Sequence, residues 1–213
     1  GIHMRKLWVA GVVAMLCLAL GAEAVGGATR TPLDSNISWD SGAEQARAGS
    51  GNVVRIPGWR TSSTMTAVKY GSPGFPSRAE SRAGFGERNF FYCGRNTAGS
   101  VASQRIPIRG RNGLIDSGRL TLRLTVRIGS NSNDGDSGRM IVWYFDRAGN
   151  VLGRAPTKAV SATGGKMRKL KRFAAVPPGT RALRVNLRGK GTPGTDCDVF
   201  FDNVDVKLVL RRR

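Results

Sequence analysis

Residues 120–128 constrain the fold of this chain more than any other segment. Five aliphatic side chains, beginning at Leu120 and ending at Ile128, alternate there with four polar ones. Because successive side chains of a strand point to opposite faces, this period of two predicts a strand with one buried and one solvated face. Beyond the N-terminus, no segment has the 3.6-residue period of an amphipathic helix. The pattern therefore favours an all-β fold.

Short β-prone segments recur along the chain, separated by clusters of glycine, proline, asparagine and aspartate. Nine strands are predicted, at residues 64–70, 89–93, 101–108, 120–128, 139–146, 151–152, 170–176, 182–187 and 199–209. Short strands at this spacing, with no helix between them, predict one antiparallel β-sandwich or barrel.

The first residues are typical of an exported protein. Residues 1–3 precede Met4 and are interpreted as an expression scar, and residues 4–24 as a signal peptide. A membrane anchor is the alternative, but a spanning helix needs about 20 apolar residues and the apolar run covers only 7–20. The signal predicts a secreted, periplasmic or cell-surface protein with no membrane span after cleavage. The remaining segments are expected to be a flexible stretch at 25–35, the sandwich at 36–210 and a basic tail at 211–213.

Cleavage of the signal would leave two cysteines, Cys93 and Cys197, and no histidine. In an oxidising compartment two cysteines predict one disulfide, and free thiols are the alternative. Without histidine, triads with a histidine base and histidine-ligated metals are excluded. A glycosidase needs only two carboxylates, but most acidic residues of this chain lie in turn-like contexts. We therefore predict that the chain is not an enzyme.

The chain is strongly basic, with 34 lysines and arginines against 14 acidic residues and a formal net charge of +20. Such a charge attracts polyanions without defining which ones. The run at 166–172 is the densest basic segment and a candidate polyanion-binding site; a solvated loop leading into a strand is the alternative. No specific nucleic-acid binding is predicted, because the run lacks flanking aromatic residues. Its charged residues are Lys166, Arg168, Lys169, Lys171 and Arg172.

Trp143 is the candidate aromatic platform. If Val142 and Tyr144 point into the core of a strand, Trp143 points outward, where it could stack on a sugar ring. A packed aromatic is the alternative for Trp143, and the same ambiguity holds for Trp39. Arg123 and Arg127, on the polar face of the 120–128 strand, complete the predicted ligand-binding set.

Several motifs together resemble a known family. They are Ile56-Pro57-Gly58-Trp59, residues 70–76, 84–86, 89–91 and 176–185, and Phe200-Phe201-Asp202-Asn203-Val204-Asp205-Val206. In their order and spacing they are similar to the galactose-binding-like jelly rolls of secreted bacterial proteins, many of which are carbohydrate-binding modules. The resemblance implies an all-β antiparallel β-sandwich of jelly-roll type, and places Trp59 in its core.

The resemblance also implies a structural calcium ion near the ends of the domain. Glu44 stands where the family has an early glutamate, and Asp202 matches its late aspartate. Calcium takes six to eight oxygen ligands, so backbone carbonyls would complete the site. The alternative is that Asp202 caps a strand and Glu44 is merely exposed.

The predicted function is that of a secreted, non-catalytic binding domain for carbohydrate. The net charge suggests an acidic glycan or a cell-surface polymer as the partner. Two alternatives stay open: a structural or adhesive protein of the cell envelope or matrix without a small ligand, and adventitious polyanion binding through charge alone.

Overall fold

The computed structural model describes residues 29–84, 87–130 and 135–211. The predicted scar and signal peptide, and the last two residues of the basic tail, lie outside the described residues. The elements are β1 (Arg60–Thr61), β2 (Thr66–Lys69), α1 (Arg78–Gly84), β3 (Asn89–Gly94), β4 (Gly99–Pro107), α2 (Asn112–Asp116), β5 (Leu120–Ser130), β6 (Ser137–Phe145), β7 (Val151–Pro156), β8 (Val160–Ser161), β9 (Arg168–Ala175), β10 (Ala182–Lys190) and β11 (Cys197–Leu210). No described helix is long and apolar enough to cross a bilayer.

The strands form two antiparallel sheets that pack face to face. The front sheet has the order β1-β4-β10-β6-β7, with β8 also paired to β6, and the back sheet has the order β2-β3-β11-β5-β9. The last two strands are central, since β10 lies between β4 and β6 while β11 lies between β3 and β5. Strands distant in sequence are therefore hydrogen-bonded neighbours, and the predicted antiparallel sandwich is confirmed.

The core lies between the two sheets and follows the predicted alternation. On β5, Leu122, Leu124 and Val126 are fully buried, while the polar residues between them are half-buried. On the front sheet, Val142 and Tyr144 of β6 are buried in the same cluster. Burying each such aliphatic side chain stabilises the fold by about 1.5–3 kcal/mol.

The predicted disulfide is present between Cys93 on β3 and Cys197 on β11. The two residues are neighbouring positions of the back sheet, with their Cα atoms 5.4 Å apart, and they are separated by 104 residues in the chain. The bond therefore joins strands from distant parts of the sequence.

A second hydrophobic cluster covers part of the outer face of the back sheet. On β3 the side chains of Phe90 and Tyr92 point away from the core, and they pack with Phe200 of β11. Phe75, in the loop after β2, closes over them with its ring centroid 4.9 Å from that of Tyr92. This loop covers β2, β3 and the beginning of β11, so the half of the sheet formed by β5, β9 and the end of β11 is the more open one.

Three local features differ from the sequence expectation. The sequence places a flexible segment up to residue 35, whereas Thr31 bonds to the backbone of Arg109 and Asp34 to that of Leu208. Short helices, α1 and α2, occupy two connections, whereas the sequence predicts no helix between the strands. Strand β9 begins at Arg168, so most of the basic run lies in a strand rather than in a loop.

Candidate ligand-binding faces

One line of side chains crosses the outer face of the front sheet. Arg184 on β10 is directly opposite Arg105 on β4 and Trp143 on β6, and Trp143 is opposite Arg154 on β7. Directly opposed residues share a face, and Tyr144, the next residue of β6, is buried in the core. The three arginines and the tryptophan therefore point outward together.

Trp143 is half-buried within this line. The guanidinium carbon of Arg154 lies 5.3 Å from the centroid of its ring, a cation–π contact. The indole Nε1 is buried and has no hydrogen-bond partner among the described residues. A buried donor without a partner costs about 1–3 kcal/mol of stability.

A groove of about 390 Å³ runs beside Trp143 along β10 and β4. Asn186, at the centre of β10, has a buried side-chain oxygen without a partner among the described residues. The groove thus places two cationic side chains, Arg188 and Lys190, along one surface beside the indole ring. Its lining includes Ser62, Val101, Ile141, Trp143, Asn186, Arg188 and Lys190.

The arginines of the front face have no carboxylate partners among the described residues. The guanidinium carbons of Arg105 and Arg184 instead lie 5.7 and 5.0 Å from the centroid of the Phe145 ring. These contacts order the side chains without neutralising them, so the face keeps its positive charge for a ligand. The ion pairs of the described residues are Arg88–Glu44, Arg123–Asp34, Arg181–Asp116 and Lys207–Asp205.

The three predicted ligand-binding residues do not lie on one surface. Trp143 is on the outer face of the front sheet, whereas Arg123 and Arg127 are on the outer face of the back sheet, opposite Phe173 and Lys169 of β9. The hydrophobic core separates the two faces. Arg123 makes an ion pair of 2.8 Å with Asp34.

The predicted polyanion-binding run is also divided between two sides. Lys169 and Lys171 point to the outer face of the back sheet, beside the arginines of β5. Arg168 and Arg172 alternate with them and are exposed along the free edge of β9, and Lys166 is exposed ahead of the strand. A single ligand could therefore meet only part of this run on one flat surface.

Sequence reasoning missed the arginines that surround Trp143. Arg184 and Arg188 alternate with buried residues within the predicted 182–187 strand and just beyond it, so the sequence predicts that they share a face. Their position beside Trp143 could not be predicted, because it depends on the pairing of β10 with β6.

Glu44 and Asp202, the predicted calcium ligands, have different partners. The Glu44 carboxylate accepts hydrogen bonds from the backbone N–H groups of Arg88, at 2.9 Å, and Asn89, at 2.6 Å. It also accepts one from the Arg88 guanidinium at 3.2 Å. Both of its oxygens are therefore engaged by N–H donors, a poor arrangement for holding a cation.

Asp202 is fully buried and contacts a second carboxyl group. Its carboxylate accepts hydrogen bonds from the Tyr70 hydroxyl at 2.7 Å and from the Asn203 backbone N–H at 2.7 Å. Burial, and then the adjacent Glu87 carboxyl, raise the pKa of Asp202 well above its usual range. Glu87 has one buried oxygen without a hydrogen-bond partner among the described residues. Two carboxyl groups in contact need a proton or a cation between them.

The other two described tryptophans have different environments. Trp59 is buried, as predicted, with its ring edge-on to Phe91, and its Nε1 donates to the backbone oxygen of Trp39. Trp39 is 57% exposed and rests on Gly58 at the edge of the sandwich. Of the two, only Trp39 offers an aromatic surface to solvent.

Comparison with known proteins rests on structure alone. No family model matches the chain, and no curated protein sequence matches it. A cyclase from Fischerella sp. TAU, solved with 4-(1H-indol-3-yl)butan-2-one, has a TM-score of 0.56 and 14% identity, covering 87% of this chain and 100% of that one. The family 16 carbohydrate-binding module-2 has a TM-score of 0.50 and 14% identity, and the match covers 80% of this chain and 99% of that one. The enzymatically active domain of bacteriophage CBA120 tailspike protein 4 has a TM-score of 0.55 and 14% identity; the match covers 81% of this chain but only 21% of that one.

The fold is an antiparallel β-sandwich of jelly-roll topology, consistent with the galactose-binding-like resemblance of the sequence. At 14% identity these matches establish the architecture and no more, and they include both an enzyme and a binding module. Function therefore has to be argued from the residues on the two faces.

Proposed function

We propose that this chain is a secreted, non-catalytic binding domain whose ligand is an acidic carbohydrate polymer held on the front face. The observation that carries this proposal is the line of Arg105, Arg184, Trp143 and Arg154, in which arginines without carboxylate partners flank an aromatic ring. Arginine binds carboxylate and sulfate groups through its planar fork of N–H donors. An indole beside it supplies an apolar surface for the sugar ring.

The resemblance of the fold to a carbohydrate-binding module supports the same proposal at the level of architecture. The disulfide supports an oxidising destination outside the cytoplasm. The proposal that the domain is non-catalytic rests on the sequence, which has one histidine, at position 3, and so offers no histidine base once the signal is removed.

The direct test is binding of polygalacturonate, a polymer of uronic acids, against neutral galactan. At an ionic strength of about 0.15 M, where exposed charges are screened beyond about 8 Å, we expect polygalacturonate to bind and galactan to bind more weakly. Trp143→Ala and Arg184→Gln should each weaken binding by about tenfold, equivalent to about 1.4 kcal/mol. Titration calorimetry measures both effects.

Two controls separate this proposal from binding by charge alone. Arg147→Gln removes an equal charge from the exposed turn between β6 and β7 and should leave the affinity within about twofold. Polyglutamate carries the same kind of anionic group without a sugar ring. If polyglutamate binds as tightly as polygalacturonate and Trp143→Ala has no effect, the carbohydrate proposal is wrong.

We also propose that a calcium ion binds at Asp202, with Glu87 rather than Glu44 as its second carboxylate. The geometry around Gly42 supports this choice, since a Cβ there would clash with Glu87 Oε2 and lie 2.8 Å from Asp202 Oδ1, so both carboxylates lie against the same glycine. The bound ion would neutralise the pair and stabilise the fold. The described residues contain no group of three or more acidic, cysteine or histidine side chains able to hold a metal, so carbonyls would have to complete the shell.

Thermal unfolding tests the calcium proposal. We expect calcium to raise the melting temperature of the wild type relative to a sample with chelator, and to have little effect on Glu87→Gln. This variant keeps an oxygen for the 2.7 Å hydrogen bond from the Asn203 side chain, so it should fold. An unchanged melting temperature of the wild type at millimolar calcium would mean that a shared proton, and not a cation, holds the pair.

A further inference from the structure

The open half of the back face carries a second set of cations around an exposed aromatic ring. The register of the sheet aligns Lys207 of β11, Arg123 of β5 and Phe173 of β9 in one line. The next positions along β5 bring Lys171 opposite Thr125 and Lys169 opposite Arg127. Since the residues of β5 that alternate with these are buried in the core, all of them face outward on the side opposite the front groove.

Phe173 is the most exposed described aromatic on this face, with 55% of its surface accessible. The Nζ atom of Lys171 lies 4.9 Å from the centroid of its ring. A groove of about 650 Å³ beside the two residues is lined also by Arg123 and Leu210. The groove on the back face therefore combines a cation with an aromatic ring, as the line around Trp143 on the front face does.

The charge of the back face is only partly compensated. Asp34 pairs with Arg123 at 2.8 Å, and Asp205 lies 3.6 Å from Lys207. Among the described residues, no ion pair involves Lys169 or Lys171. The two lysines are exposed, so they are free to meet an anionic ligand.

We propose that this open half of the back face is a second binding surface for an acidic polysaccharide, so that one copy of the domain joins two polymer chains. The inference rests on the proposed function of the front face. The core between the two sheets of a sandwich is about 10 Å thick, and the two faces look in opposite directions. A polymer on one face therefore leaves the other accessible to a second chain.

The number of ligands bound per protein tests the inference. With a short oligogalacturonate as the probe, calorimetry of the full-length protein is expected to give two bound oligomers per chain. The back variant Lys169→Gln, Lys171→Gln, Phe173→Ser should bind one, and so should the front variant Arg154→Gln, Arg184→Gln, Arg188→Gln. Because all six side chains are exposed or point outward, circular dichroism should show both variants folded.

Cross-linking is the consequence to be measured with long chains. Light scattering of polygalacturonate should rise on adding wild-type protein, pass through a maximum and fall when protein is in excess. Both variants should lose this rise. The control Arg147→Gln, which removes a charge from the exposed turn between β6 and β7, should keep it.

The outcomes separate this inference from the function on which it rests. One oligomer per wild-type chain that the front variant no longer binds, or cross-linking by the back variant equal to wild type, overturns the second surface and leaves the front face intact. Absence of oligogalacturonate binding by the wild type overturns both. Equal binding of an oligonucleotide of matched charge at the back face would overturn its assignment to a sugar polymer.

Discussion

At the residue scale, Asp116 shows how one exposed carboxylate can fasten two elements. It ends α2 and accepts hydrogen bonds from the Arg181 guanidinium at 2.7 and 3.0 Å and from the Gly179 backbone N–H at 2.9 Å. The side-chain bond from Arg181, and then the bond from Gly179, lower the pKa of Asp116. The carboxylate thereby connects α2 to the turn that leads into β10.

This arrangement gives a pH-dependent contribution to stability. A lowered pKa in the folded state means that the unfolded chain binds the proton more readily, so the contribution is present above about pH 4, the pKa of an unfolded aspartate, and is lost on further acidification. We expect Asp116→Asn to lower the melting temperature slightly at pH 7. Melting curves between pH 2 and 7 should show the difference from wild type closing at the acid end. If the difference in melting temperature between the two proteins stays constant with pH, the charge of Asp116 does not stabilise the turn.

The family resemblance and the alternation of strand side chains were sufficient to place two side chains from the sequence. Trp59 was assigned to the core and is buried, and Trp143 was expected to point outward if Val142 and Tyr144 pointed inward, as they do. The alternation of side chains along a strand fixes the face on which each residue lies. It does not determine which other strand lies beside that residue.

At the element scale, the long alternating strands were predicted closely, whereas the two-residue strands and the start of β9 were missed. The prediction at 120–128 differs from β5 only by two residues at its end. β1 and β8 are two residues long and too short to show a pattern. The start of β9 was missed because this edge strand has exposed residues on both sides, which removes the alternation that marks a strand.

The candidate site was predictable only in part, for a topological reason. Trp143 and Arg123 lie on consecutive strands, β6 and β5, which belong to different sheets. The arginines beside Trp143 come instead from β4, β7 and β10. The alignment of Arg105 and Arg184 with Trp143 is set by hydrogen bonding between segments far apart in the chain, and a single sequence carries no local signal for that register.

One prediction at the element scale concerns how closely β10 approaches the disulfide. A Cβ atom at Gly189 would lie 2.8 Å from the Cβ of Cys93 and would also clash with its sulfur. We expect Gly189→Ala to lower the free energy of unfolding by about 1–3 kcal/mol, as overpacking of a core does. Urea unfolding measures the loss.

Two comparison variants make the interpretation specific. Gly113→Ala, at a helical position with open space around it, should be neutral or stabilising by up to about 1 kcal/mol. In a background with Cys93→Ala and Cys197→Ala, Gly189→Ala should cost less, because the sulfur atoms that it meets are gone. If Gly189→Ala lowers the free energy of unfolding equally in both backgrounds, the clash is not with the sulfur atoms.

At the scale of the whole molecule, two surfaces of different character contribute to the net charge of +20. The front face holds arginines ordered over aromatic rings, whereas the open half of the back face holds lysines with two carboxylates among them. The sequence shows only the sum of these charges. Because the core separates the two faces, the contribution of each face to ligand binding can be tested separately.

The disulfide is the other feature that acts on the whole molecule. It closes a loop with a sequence separation of 104 residues, so its loss frees a large part of the unfolded chain. Removing such a bond should lower the free energy of unfolding by about 2–5 kcal/mol. We expect the variant with Cys93→Ala and Cys197→Ala to show this loss in urea.

Binding should respond differently from stability in that variant. The disulfide joins β3 to β11 within the back sheet, whereas the residues of the front line lie on β4, β6, β7 and β10. At temperatures where the variant remains folded, its affinity for polygalacturonate should therefore stay within about threefold of wild type, since separate regions usually contribute additively. A loss of affinity without unfolding would mean that the sulfur atoms packed against Gly189 hold β10, and with it Arg184, in position for the ligand.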